Sequence, residues 1–176
     1  NLRPRPQPWP RYFGDGIVSD HDLLPPSVDP NTKALGIRRV SARNEASTRS
    51  VMMVRDHIVI TDEKESNTGP TPLEMTLSSL LGCEGVIINR CAEAMQFAYT
   101  AVDMEADGEV DQRGSRGVQG VRPYFNWVKL RIRVHTDEPQ ERFDRLTRNV
   151  EYRCPVMNLF KSADVDVQIT WERVTP

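Results

Sequence analysis

Three cysteines, Cys83, Cys91 and Cys154, are the residues of this sequence best suited to chemistry. Three thiols in 176 residues do not form a disulfide scaffold, and their odd number favours a reducing compartment. No signal-peptide pattern opens the sequence, and no stretch reaches the roughly 18 apolar residues of a membrane span. We therefore expect a cytoplasmic protein whose cysteines are free thiols.

Cys154 has the local sequence of a reactive thiol. It precedes Pro155, so it suits the N-cap of a short helix that begins at the proline. Oriented N–H groups at a helix start, together with the charge of Arg153, favour a thiolate. The local sequence thus predicts that Cys154 is the more acidic thiol.

Cys83 lies in the middle of an apolar segment that reads as a helix, and two interpretations of it stay open. A free cysteine is often a small core residue. However, Gly82 and Gly85 could open a path to the sulfur, and Glu84 places a carboxylate off the polar stripe of the helix. Cys91 lies about 12 Å further along the same helix, cannot bridge to Cys83 and reads as a core residue.

The strongest local signal is the segment Gly69-Pro-Thr-Pro-Leu-Glu74. Thr71 and Glu74 form a capping box, and Pro72 takes the first helical position, where its missing N–H costs nothing. The segment predicts a helix from here to about Phe97. Its apolar residues cover most of the circumference, which predicts burial on several sides.

The surrounding patterns predict strands and two further helices. Alternating residues predict two strands after the long helix and one at the end of the chain, with helices following Pro139 and Pro155. Three short runs precede the long helix and predict an antiparallel meander: Leu35–Arg43, Thr48–Val54 and His57–Asp62. The order βββ–α–ββ–α–α–β predicts an α+β domain.

The first 33 residues differ from the rest, since seven of the 13 prolines lie in the first 30 positions. We expect an extended N-terminal segment over 1–33 and one domain over 34–176. The aromatic residues Trp9, Tyr12 and Phe13 either hold this segment on the surface or reach a partner subunit.

Charge and motifs exclude several functions. The 23 basic and 25 acidic residues give a net charge of −2, which does not suit a nucleic-acid-binding surface. No Gly-rich phosphate loop follows a strand, and the three histidines lack metal-ligand spacing. We expect no cofactor, no metal and no nucleic-acid or membrane partner.

Two motifs together resemble the OsmC/Ohr family, and in particular its OsmC-like branch. The first is the helix start at residues 69–74 followed by Leu80-Leu-Gly-Cys83, and the second is Cys154-Pro-Val156. The resemblance implies an α+β fold in which antiparallel sheets surround a long buried helix. It also implies an intertwined homodimer with active sites at the subunit interface.

The resemblance further implies a thiol-dependent peroxidase that reduces organic hydroperoxides. Cys83 would be the peroxidatic thiol and become a sulfenic acid, and Cys154 would resolve it as a disulfide. An external dithiol would then restore both thiols. The alternative is a non-enzymatic stress protein that binds a small apolar ligand at the dimer interface.

The family pattern includes an arginine from the first sheet and a glutamate near the helix start. Counting places the arginine near Arg49, with Arg43 and Arg55 as alternatives. The best-known peroxidases carry the glutamate directly after the proline, where this chain has Leu73. Glu74 comes one position later, about 100° around the helix, and the capping box already gives it a structural role.

Overall fold

A computed structural model describes residues 23–175. Within that range the chain forms two three-stranded sheets and four helices. The elements, in chain order, are β1 (Ser41–Asn44), β2 (Ser50–Val54), β3 (His57–Thr61), α1 (Pro72–Met95), β4 (Ala101–Val110), α2 (Gln112–Ser115), β5 (Phe125–His135), α3 (Gln140–Arg153), α4 (Pro155–Ser162) and β6 (Asp166–Val174). The predicted α+β order is confirmed, with the one-turn α2 added between β4 and β5.

The first sheet is the predicted antiparallel meander, with strand order β1-β2-β3. Its first strand begins at Ser41, so the predicted start at Leu35 was wrong. Residues 35–40 are exposed and lie outside any strand. Alternating apolar residues alone do not make a strand where no neighbouring strand supplies hydrogen bonds.

The second sheet has the order β4-β5-β6 and is mixed rather than purely antiparallel. β4 and β5 pair antiparallel, but β6 runs parallel to β5. The expectation of antiparallel strands was therefore wrong for β6. The reason is the connection: α3 and α4 carry the chain back to the end of the sheet where β5 began, as a parallel pair requires.

The start of α1 follows the capping box. The Thr71 side chain accepts a hydrogen bond from the Glu74 N–H, the Glu74 side chain accepts one from the Thr71 N–H, and Pro72 is the first helical residue. The helix ends at Met95, and Gln96 after it takes a left-handed conformation with φ of 50°. Local chemistry thus fixes both ends of the element that carries Cys83.

The hydrophobic core lies between the second sheet and helices α1, α3 and α4. Its fully buried members include Leu80, Ile88, Ile132, Leu146 and Met157. Among the described residues, none between Leu24 and Leu77 belongs to this core. The first sheet is therefore not part of it.

One side of α1 is not covered by the single chain. Leu73 and Val86 are exposed, and a side chain added at Gly82 would meet open space. The predicted burial on several sides is thus found on one side only. At Gly85 the nearest atom to an added Cβ is the end of the flexible Met104 side chain.

The end of the N-terminal segment docks on α3. Leu24 is buried in the core, and its N–H donates to Asn149 Oδ1 at 2.7 Å. The Arg153 guanidinium donates to the Leu24 carbonyl at 2.7 Å. The predicted aromatic contacts of Trp9, Tyr12 and Phe13 lie outside the described residues, and the boundary at residue 33 stays a prediction.

Candidate thiol site

Cys83 and Cys154 are brought together from α1 and from the junction of α3 and α4. Both are free thiols; Cys83 is half-buried and Cys154 is fully buried. Cys154 is the N-cap of α4, as predicted, and its Sγ accepts a hydrogen bond from the Met157 N–H at 3.5 Å. The Cys83 side chain interacts with the Cys154 thiol and contributes to raising its pKa.

The prediction that Cys154 is the more acidic thiol was wrong, because burial outweighs the effect of the helix start. Burial is the largest cause, and it raises the pKa of Cys154 well above that of an ordinary thiol. The negative charge of Glu84 raises this pKa further, whereas the Met157 N–H lowers it. The helix-start effect is therefore present but outweighed, and Cys154 rests as a protonated thiol.

Glu84 is the unexpected member of the site. Its side chain is fully buried, and neither carboxylate oxygen has a hydrogen bond of standard geometry with the described residues. Burial raises the pKa of Glu84 to about 7, and the charge of Glu151 adds to the rise. The Cys154 thiol and the Lys161 ammonium act in the opposite direction. In the sequence, Glu84 is an unusual charge in an apolar helix, and no role was predicted for it.

Cys91 lies in the core, as its position predicted. It is fully buried, and burial raises the pKa of its thiol. The Arg153 charge acts in the opposite direction and is the smaller effect. Cys91 is thus a small apolar residue of the packing between α1 and α3.

The three candidate arginines all belong to the first sheet. Arg43 is exposed and pairs with Glu45 at 2.9 Å, and Arg55 occupies the β2–β3 turn with φ of 57°. Arg49 is exposed just before β2. Hydrogen bonds from Thr48 and Thr68 are the main reason that the pKa of Asp62 is lowered, and the charge of Arg49 adds a smaller effect. Among the described residues, none of these arginines is a group that shifts the pKa of Cys154.

Arg43 and Arg49 lie on one face of the first sheet. The register places Arg43 beside Val51. Arg49 comes directly before β2 and lines the same face as Val51 and Met53. This face forms a concavity of about 390 Å³. Its lining includes Ser41, Arg43, Ser47, Arg49, Val51 and Met53. Cationic and apolar groups thus share a surface that the single chain leaves open.

Glu74 is held by the capping box. Its Oε2 accepts hydrogen bonds from the Thr71 N–H at 2.7 Å and from the Thr71 hydroxyl at 2.9 Å. These bonds lower the pKa of Glu74. Nine residues of helix, about 13 Å, separate Glu74 from Cys83, so one chain does not bring them together.

No group of three or more His, Cys, Asp or Glu side chains that could hold a metal ion occurs within residues 23–175. No helix in that range is long and apolar enough to cross a membrane. The candidate site described above contains the thiols of Cys83 and Cys154 and the buried carboxyl of Glu84.

Fold and site together define a class: a mixed α+β domain in which a central helix and a Cys-Pro turn bring two free thiols together. The family model described as OsmC-like protein matches residues 64–170. The chain belongs to the OsmC-like family.

Several solved structures have the same fold as this chain. An OsmC-like protein from Mycoplasma pneumoniae has a TM-score of 0.70 at 18% identity, covering 79% of this chain and 98% of that one. An organic hydroperoxide resistance protein OsmC from Legionella pneumophila has a TM-score of 0.57 at 16% identity, covering 80% and 99%. OhrB of Bacillus subtilis has a TM-score of 0.56 at 17% identity, covering 79% and 100%. No curated protein matches the sequence.

Proposed function

We propose that this protein is a thiol-dependent peroxidase that reduces organic hydroperoxides. The observation that carries the proposal is the interaction of the half-buried Cys83 with the buried Cys154, both as free thiols. A half-buried thiol is open to a small substrate, and a neighbouring thiol is positioned to form a disulfide with it. Family membership supports a redox or stress role, as do the names of the Legionella pneumophila and Bacillus subtilis proteins.

The proposed reaction has three steps. The Cys83 thiolate attacks the hydroperoxide, the O–O bond breaks, and Cys83 becomes a sulfenic acid, while the departing alkoxide takes up a proton and leaves as the alcohol. Cys154 then displaces hydroxide from that sulfur, giving a disulfide and water. An external dithiol reduces the disulfide and is itself oxidised. The proposal also places the protein in the cytoplasm, where cysteines are kept as free thiols.

The proposal includes a homodimer, because the single chain leaves apolar residues exposed on the first sheet and on α1. The first sheet carries exposed apolar residues and the arginine pair, while α1 exposes Leu73 and Val86. Exposed apolar patches of this kind are typical of subunit contacts. In the proposed dimer the Arg49 face of one subunit lies over the Cys83 side of its partner. In that arrangement Arg49 stabilises the Cys83 thiolate.

The test is a count of free thiols before and after one equivalent of an organic hydroperoxide, with peptide mapping of any new bridge. We expect two thiols per chain to disappear and a Cys83–Cys154 disulfide to form. Cys83→Ser should abolish peroxidase turnover, whereas the matched variant Cys91→Ser should keep it if it folds. Turnover by Cys83→Ser, or thiols that hydroperoxide leaves unchanged, would refute the proposal.

A second candidate function is non-enzymatic binding of a small apolar ligand at the dimer interface. The engagement of Glu74 in the capping box favours it, because that carboxylate is then not free to orient an arginine. Under this alternative, hydroperoxide leaves the thiols unchanged, so the same count separates the two functions.

A further inference from the structure

Glu84 is a buried carboxyl for which the proposed peroxidase steps give no role. It is fully buried at the contact of α1 with α3 and α4, and neither oxygen has a hydrogen bond of standard geometry with the described residues. Leaving such a group unsatisfied costs on the order of 1–3 kcal/mol, so a buried carboxyl in this state calls for an explanation.

The charged groups that face Glu84 from the neighbouring helices are engaged elsewhere. Glu151 of α3 accepts a hydrogen bond from Trp171 Nε1 at 3.0 Å and pairs with Lys161 of α4 at 3.7 Å. Arg153 donates to the Leu24 carbonyl at 2.7 Å. On α1 itself, Cys91 lies two turns away in the core. Among residues 23–175, the group left to interact with the Glu84 carboxyl is the Cys154 thiol.

Cys154 needs a base in order to resolve a sulfenic acid. It is fully buried and rests as a protonated thiol, but only the thiolate is a competent nucleophile. Because the site excludes water from Cys154, the proton must pass to a neighbouring group. Glu84 is the buried carboxyl that interacts with the Cys154 thiol, and both side chains are fully buried.

We propose that Glu84 is the catalytic base and acid of the resolving step, an inference that rests on the peroxidase function proposed above. The Glu84 carboxylate accepts the Cys154 proton as the sulfur attacks the Cys83 sulfenic acid. The S–S bond forms, the S–O bond breaks, and the departing hydroxide takes the proton from Glu84 and leaves as water. Glu84 returns to its starting state, and no further oxidant or reductant is required.

The ionisation of Glu84 fits this exchange. A pKa of about 7 means that carboxylate and acid are both populated near neutral pH. A group in that state accepts and returns a proton with little cost in either direction. The rate of disulfide formation in the wild-type protein should therefore rise with pH through about 7 as Glu84 ionises.

The experiment is a sequential-mixing measurement on Glu84→Gln, with sulfenic acid formation and disulfide formation followed separately. We expect Cys83 oxidation to continue and disulfide formation to slow by about 100-fold or more, the usual contribution of a general base. A dimedone-type trap should then capture the accumulated sulfenic acid. The rise in rate near pH 7 should disappear in this variant. Glu93→Gln, which changes an exposed carboxylate of the same helix, is the matched control and should resolve at close to the wild-type rate.

The opposite result would show that Glu84 acts only as a charge. The carboxylate raises the pKa of Cys154, so its removal would then leave disulfide formation unchanged or faster and overturn the inference. If Glu84→Gln does not fold, the wild-type pH profile still decides, because a flat rate between pH 6 and 8 also contradicts the inference. Failure of wild-type Cys83 to oxidise would instead refute the peroxidase function itself.

Discussion

The first sheet and the rest of the domain differ in what covers their apolar residues. In the second sheet, β5 buries Val128, Ile132 and Val134 completely beneath the helices. In the first sheet every residue of β1 is exposed, and Ile58 of β3 is 65% exposed. The second sheet and the helices, called here the helical half, therefore have their own core. The first sheet instead has an apolar face that is exposed in the single chain.

The chemistry divides between the same two regions. The thiols and Glu84 lie in the helical half, and the candidate arginines lie on the first sheet. The helical half carries both sulfurs and the buried Glu84 carboxyl, whereas Arg43 and Arg49 line the open face of the first sheet. The proposed dimer brings these two sets of groups together, since it places the first sheet of one subunit over the thiols of the other.

The largest expected effect sharpens this contrast through stability. Leu146→Ala removes a fully buried side chain of α3 and should cost about 2–5 kcal/mol in the free energy of unfolding. Ile58→Ala truncates an exposed side chain of β3 and should change monomer stability by less than about 0.5 kcal/mol. Denaturant unfolding at low protein concentration measures both. Equal losses would contradict a core confined to the helical half.

The next effect concerns Glu84 and has a defined sign. The folded protein holds the Glu84 proton up to a pH of about 7, whereas the pKa of the unfolded carboxyl is near 4.5. Between these two pH values the folded state binds more protons at Glu84 than the unfolded state does. The contribution of Glu84 to the free energy of unfolding is therefore complete below pH 4.5 and is lost as the pH rises through 7. The shift corresponds to a loss of about 3 kcal/mol.

Glu84→Gln provides the comparison for that loss. The amide does not ionise, so the variant should lack the fall in stability between pH 4.5 and 7 that the wild type shows. Urea unfolding at several pH values measures the difference. A wild-type protein whose stability follows that of the variant across this range would contradict a buried, ionising Glu84.

The sequence predicted those features whose causes are local. The start of α1 depends on Thr71, Pro72 and Glu74, which are neighbours in the chain, and its capping box forms as predicted. The alternation that predicted β5 depends on one strand with one buried face. Neither prediction depends on residues that are distant in the sequence.

Features set by distant contacts were predicted less well. The Cys154 pKa was predicted too low, because the helix start is visible in the sequence while the burial beside Glu84 is created by the packing of α1 against α3 and α4. The parallel direction of β6 depends likewise on the path of α3 and α4. The meeting of Cys83 with Cys154 came from resemblance to a family and not from spacing.

The smallest effect tests whether the first sheet is the surface that a second subunit covers. Ile58→Asp places a charge on the apolar face of the first sheet and should raise the dimer dissociation constant by roughly tenfold or more. A tenfold rise corresponds to a loss of about 1.4 kcal/mol in the free energy of association. Leu159→Asp is the matched control, since Leu159 is 66% exposed against 65% for Ile58 but lies on α4. Sedimentation across a range of concentrations measures both constants.

Because the proposed site takes its arginine from the first sheet, peroxidase turnover should fall with the dimer fraction in Ile58→Asp. If Leu159→Asp weakens association instead, the uncovered apolar face of the first sheet is not the dimer contact, and Arg49 loses its proposed place over Cys83.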